Sequence, residues 1–128
     1  MKLNHVALSV NDSEEIENFY EDILGFSLKR KFLMAADVAQ KFFGVTKEID
    51  VYVMKKTDVW LEIFLYPERK NKIFRHLCLE YFGSEVIYTK AQKSGYKTEI
   101  KINRGRNDTF FIWDRCGNMF ELKEAKDD

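Results

Sequence analysis

The feature that most constrains this 128-residue chain is that its second half repeats its first. Shifting by 71 positions sets His5 on His76, Leu8 on Leu79, Ser13 on Ser84, Glu14 on Glu85 and Ile16 on Ile87, five identities within twelve positions. Shifting by 59 sets Trp60-Leu61-Glu62-Ile63 on Met119-Phe120-Glu121-Leu122. The second copy is therefore shorter, mostly where residues 34–50 sit in the first. Self-similarity of this kind marks a duplicated supersecondary unit, and two copies predict one compact domain with an internal pseudo-twofold axis rather than a solenoid.

Local patterns predict what the repeated unit is. Residues 3–10, LNHVALSV, alternate as a strand does, and Asn11-Asp12-Ser13 supplies turn and N-cap chemistry. Ile16, Phe19, Tyr20, Ile23 and Leu24 recur at helical spacing, which predicts a helix over 13–24 ending at Gly25. Strands follow at 26–33, 48–55 and 59–66, the last two joined by a turn at Lys56-Thr57-Asp58, and 35–43 reads as a short helix or an ordered loop. Residues 67–72 form a polar connector. In the second half a strand over 74–81, a helix over 84–94 ending at Gly95, and strands at 96–102, 109–113 and 118–124 repeat the scheme. The expectation is an α+β fold of two βαβββ modules, 1–67 and 73–125, within one domain spanning 1–128.

Composition narrows the function classes. With 45% hydrophobic and 15% aromatic residues the chain can build a full core. Its 21 basic and 21 acidic residues cancel, so no net field holds nucleic acid or an anionic membrane, and a small-molecule partner is expected. No apolar run approaches membrane-spanning length, and MKLNHVALSV lacks the long apolar core of a signal peptide. Two cysteines, Cys78 and Cys116, make no disulfide framework. A cytoplasmic location is expected.

Strand alternation sorts the polar residues. Val6, Leu8 and Val10 oppose His5, Ala7 and Ser9; Leu61, Ile63 and Leu65 oppose Glu62; Leu77, Leu79 and Tyr81 oppose His76; Phe120 and Leu122 oppose Glu121. A lone strand His is most often a hydrogen-bonded residue and a lone strand Glu usually faces water. Here the repeat places His on the first strand and Glu on the last strand of both halves, which favours a joint role. If the sheets curve with helices outside, the four residues project into a shared interior. Two neutral imidazoles and two carboxylates suit one divalent ion, Ni, Zn, Co, Mn or Fe, with positions left open. Trp60, Phe64 and Tyr66 share the parity of Glu62 and are candidates for an apolar substrate pocket, with core filling the competing reading. Arg104 and Arg106 sit in a hairpin and either clamp a carboxylate or phosphate or belong to a solvated turn. Cys78 shares the parity of His76, Arg75 points away, and Cys116 lies in a turn.

The segments HVALSV, FYEDILGF, WLEIFL, HLCLEY and WDRCGNMFELKE resemble the strand and helix motifs of the vicinal oxygen chelate superfamily, which includes glyoxalase I, over nearly the whole chain. The resemblance implies paired βαβββ modules forming a curved, partly open barrel around one metal. By position the ligands are His5, Glu62, His76 and Glu121, in the glyoxalase I order. It implies a lyase or isomerase that moves a proton beside a metal-chelated carbonyl, with Glu121 or Glu62 as the shuttle, and a homodimer. The Asp114, Gly117 and Asn118 motif resembles the family's last hairpin, with Gly117 making the turn. Where bacterial glyoxalase I has an Arg and an Asn that help hold glutathione, this chain has Ser9 and Tyr66, so the likeness does not extend to a glutathione adduct. Thiol transferases, ring-cleaving dioxygenases and bleomycin-sequestering binding proteins of the same superfamily are the alternatives.

Overall fold

The alternating segments become two separate four-stranded sheets. The computed structural model describes residues 2–67 and 75–126, which divide into two units, Met1–Arg69 and Lys70–Asp128. In the first, β1 (Val6–Val10), β2 (Ser27–Met34), β3 (Ile49–Lys56) and β4 (Val59–Leu65) form a sheet of order β1-β4-β3-β2. β1 runs parallel to β4 and the other neighbours are antiparallel. In the second, β5 (His76–Tyr81), β6 (Thr98–Lys101), β7 (Thr109–Trp113) and β8 (Met119–Glu124) form a sheet of order β5-β8-β7-β6 with the same directions. Both modules are βαβββ and the chain is α+β, as the repeat predicts. The expected start of β5 at Phe74, and residues 68–72 of the connector, lie outside the described residues.

The two sequence shifts are also the structural ones. Ala7 pairs with Glu62 and Cys78 with Glu121, so the shifts of 71 and 59 carry one ladder onto the other without slippage. Because a slip of one residue would turn every side chain to the wrong face, the burial pattern fixes this register. Val10, Met54, Leu61 and Ile63 on one face of the first sheet are fully buried, as are Ile112, Phe120 and Leu122 in the second. α2 (Ser84–Lys93) lies on that apolar face of its own sheet, with the Tyr88 and Phe110 rings 4.9 Å apart.

The first helix differs from the expected α-helix. Asp22 N–H donates to Glu17 O at 2.9 Å and Leu24 N–H to Phe19 O at 3.0 Å, the i to i−5 bonding of a π-helix over Ile16–Glu21. Ile16, Phe19, Tyr20, Ile23 and Leu24 are all buried. The same residues share one side in either helix type, so hydrophobic spacing does not separate the two. Asp12, rather than Ser13, provides the turn at its start, accepting the Glu14 N–H at 2.9 Å. Gly25 ends it at φ +80, and a Cβ there would come 2.8 Å from Lys56 Nζ.

Residues 36–43, open between helix and loop in the sequence, form α1 (Ala36–Phe43). Its Ala39 packs with Ile49 and Val51, and Phe32, Met34, Val45, Phe64 and Tyr66 close around them. Phe43 meets Phe64 with ring centroids 5.5 Å apart. Since Phe64 pairs with Val51 and Glu62 with Val53, α1 covers one end of the face that carries Glu62.

At the β3–β4 turn Thr57 holds φ +49, a conformation that a β-branched side chain resists. Thr57→Asn, which tolerates that region, is expected to raise unfolding stability by about 1 kcal/mol; a urea unfolding curve checks this, and an unchanged or lower midpoint contradicts it.

Candidate metal centre

Within each unit the parallel first and last strands bring one His and one Glu together. In the first, His5 leads into β1 and Glu62 sits on β4, on the same face because Ala7 pairs with Glu62. His5 Nδ1 lies 3.4 Å from Glu62 Oε2, with the side chains 37% and 23% exposed. In the second, His76 opens β5 and Glu121 sits on β8, with His76 Nε2 3.3 Å from Glu121 Oε1 and exposures of 36% and 18%. The two modules thus place equivalent pairs at equivalent ladder positions with nearly equal separations and exposures.

Those separations are informative. A charge-assisted N–H to carboxylate hydrogen bond is about 2.7–2.9 Å long, so neither pair is drawn into a tight one. Two N and O ligands, each about 2.0–2.2 Å from one ion, stand about 3.0 Å apart at right angles and about 3.4 Å apart at the tetrahedral angle. Both pairs therefore have the spacing of neighbouring positions on one ion. They differ in the nitrogen presented. His76 turns Nε2 towards its Glu, whereas His5 turns Nδ1, which also lies 2.8 Å from Asn4 Oδ1. For Nδ1 to ligate, Asn4 has to release it. Among the described residues no group of three or more His, Cys, Asp or Glu side chains stands together as a ready metal site.

The surroundings of the two pairs diverge. A cleft of about 390 Å³ opens beside His5 and Glu62, bounded by Lys2 and Asn4, by Arg30 of β2 and Val53 of β3, and by Trp60. Trp60 is thus placed in the cleft with Glu62, and Lys55 Nζ lies 4.8 Å from its ring centroid. Phe64 and Tyr66 pack instead into the cluster under α1. On the second sheet Glu121 is shared: Lys123 Nζ stands 3.6 Å from its Oε2, and Cys78, paired with it across the ladder, hydrogen-bonds to it. Partial burial, reinforced by the Glu121 charge, pushes the Cys78 thiol up, which suits a neutral thiol rather than a thiolate nucleophile. Arg104 and Arg106 lie exposed in the β6–β7 loop, where Asn103 N–H donates to Asp108 Oδ1 at 3.2 Å and Asn103 Nδ2 to Asn107 O at 3.0 Å.

A scan against protein families matches residues 2–122 to the glyoxalase/bleomycin resistance protein/dioxygenase superfamily. The chain belongs to that superfamily. A glyoxalase family protein from Enterococcus faecalis shares the fold at TM-score 0.72 and 22% identity, over 94% of this chain and 95% of that one. One from Bacillus cereus does so at TM-score 0.76 and 15% identity, over 97% and 93%. The fosfomycin resistance protein of Listeria monocytogenes, complexed with Mn(II) and 1S,2S-dihydroxypropylphosphonic acid, matches at TM-score 0.70 and 14% identity, over 94% and 87%. A search of curated proteins finds no match. This superfamily member therefore has the glyoxalase-like fold that its motifs imply.

Two polar residues that hold the site-bearing strands escape strand parity. Asp114 is only 4% exposed; its Oδ1 accepts the N–H groups of Cys116 at 2.9 Å and Asn118 at 2.8 Å, and its Oδ2 accepts Asn118 Nδ2 at 2.7 Å. With Gly117 at φ +86, this carboxylate shapes the β7–β8 hairpin that delivers Glu121. The spaced Asp, Gly and Asn were its signal. Glu124, at the end of β8, accepts the Gly83 N–H at 2.8 and 2.9 Å and the Ser84 N–H at 3.2 Å, tying the start of α2 to the sheet. Asp114→Ala leaves three buried donors without that acceptor and is expected to cost about 3 kcal/mol or more. A fall of several degrees in the thermal midpoint is the check, with Asp114→Asn intermediate.

Proposed function

We propose that this protein is a metal-dependent lyase or isomerase that moves a proton beside the chelated carbonyl of a small molecule, with His5, Glu62, His76 and Glu121 as ligands of one divalent ion. The observation that carries the reading is the repeated pair: imidazole and carboxylate 3.4 and 3.3 Å apart at the same ladder position of both modules. Two carboxylates balance the ion's charge and two neutral imidazoles complete four donors, leaving coordination positions for substrate oxygens. A metal bound there supplies Lewis acidity, which lowers the pKa of the carbon acid beside the carbonyl.

The protein's own groups do the rest. Glu62, beside Trp60 and Val53, faces a cleft where a substrate carbon can come within reach of its carboxylate, and it takes the proton and returns it. Glu121, held between His76 and Lys123, is the more firmly placed carboxylate and serves as the steadier ligand. Trp60 offers its ring face to the substrate and excludes water on that side. The Arg104 and Arg106 loop receives no role in this reading; a homodimer is what the family resemblance implies, and a cytoplasmic location is what the cysteine usage and the absence of a signal-peptide pattern in the sequence suggest.

A second reading, modification of a small organophosphonate, is favoured by the fold shared with the Listeria fosfomycin resistance protein and by the cations around the cleft. Incubating metal-loaded protein with fosfomycin and following phosphorus NMR separates the two readings, because only the second yields a new phosphonate signal.

The metal reading predicts one equivalent of bound divalent ion per chain when purified protein is titrated with Mn, Co, Ni or Zn. Glu62→Ala and Glu121→Ala should each weaken uptake by more than about 100-fold, beyond the effect of a merely supporting residue. Two independent equivalents would show the pairs acting separately, and no uptake by the intact chain would falsify the reading.

A further inference from the structure

The cleft beside Glu62 has a charge pattern that the metal reading does not use. Lys2 and Arg30 line it and Lys55 lies against its Trp60, whereas Glu62 is its one carboxylate among the described residues. The chain as a whole has 21 cations and 21 anions, so this concentration is local and not a sample of a basic surface.

Arg30 is brought there by a defect in the sheet. Ser27 pairs with Lys55 and Leu28 with Met54, but the register then shifts so that Arg30, not Lys29, opposes Val53. Without the bulge, alternation would pair Arg30 with Tyr52 and turn it to the opposite face. Bulges re-aim side chains in this way beside binding sites. Arg30, Val53 and Glu62 therefore stand in one row across three strands, the outer two about 10 Å apart at about 4.8 Å per strand. The guanidinium carbon lies 4.9 Å from the Phe32 ring centroid, and no described carboxylate pairs with it. A guanidinium supported on a ring, without an acid partner among the described residues and facing a cleft, is available to an external oxyanion in bidentate geometry.

We propose that Arg30, assisted by Lys2, binds an oxyanion group of the substrate, so that the site selects small molecules with a carboxylate or phosphate-type terminus at one end and their reacting oxygens near Glu62. This deepens the metal reading by naming the substrate class, and it can fail independently of that reading.

Isothermal titration calorimetry of the intact protein with inorganic phosphate and with acetate tests it. At least one of the two should bind, and phosphate binding tighter than acetate would assign the terminus to the phosphate type, acetate tighter to the carboxylate type. Arg30→Ala should weaken the preferred anion by about tenfold or more, Arg30→Lys by less, because a point charge replaces the planar fork. Lys31→Ala is the control for general charge: Lys31 opposes Tyr52 on the other face and lies 3.7 Å from Asp50, so its loss should leave anion affinity within about twofold, a shift of about 0.4 kcal/mol. Equal losses in Arg30→Ala and Lys31→Ala, or no binding of either anion by the intact chain, overturns the proposal. Metal uptake measured on the same samples keeps the two readings apart, since Arg30→Ala should retain its divalent ion.

Discussion

The parallel pairing of first and last strand is the constraint on which the rest of the molecule depends. In each module the strands that are farthest apart in sequence, β1 and β4 or β5 and β8, become neighbours, and a helix and two further strands must return the chain between them. Parallel neighbours cannot be joined by a tight turn, so the intervening βαβββ connection follows from that pairing. The same pairing builds the candidate site, because residues paired across parallel strands point to the same face. His and Glu meet through backbone register, and the apolar residues on the reverse face hold that register in place.

Much of this was legible in the residues. The shifts of 71 and 59 that align the two halves of the sequence are those that align their ladders, because the register is set by apolar alternation, and alternation is written directly in the chain. The parity of His5, Glu62, His76 and Glu121 was readable for the same reason. Trp60 proved to lie in the cleft, while Phe64 and Tyr66, which have the same parity, were drawn under α1. Parity fixes the face of a side chain but not what packs above it, and α1 was the element whose identity the sequence left open.

Other features had no periodic signature. The π-helix buries the same five residues an α-helix would, so its extra-wide turn is a matter of hydrogen bonding that spacing does not encode. The bulge at Lys29 changes which of two adjacent cations faces the cleft, and a run such as Lys29-Arg30-Lys31 looks the same with or without it. Asp114 and Glu124 act through backbone N–H groups, partners that every residue has and that no residue type announces. Only the turn-forming company of Asp114, with Gly117 and Asn118, hinted at its place.

The duplicated ladder also has a point at which its copies part. Two residues beyond Glu62 stands Phe64, packed under α1, and two residues beyond Glu121 stands Lys123, in contact with its carboxylate. Both positions face the same way as their Glu; on the first sheet that face also carries Val51, fully buried under α1, while Met54, Leu61 and Ile63 are fully buried on the reverse face. A duplicated module of this design can change the environment of each candidate carboxylate by a single substitution two residues further along the same strand. Descendants of one ancestral half can thus acquire different reactivities without rebuilding a core, which gives this architecture an evolutionary freedom that a site embedded among core side chains would lack.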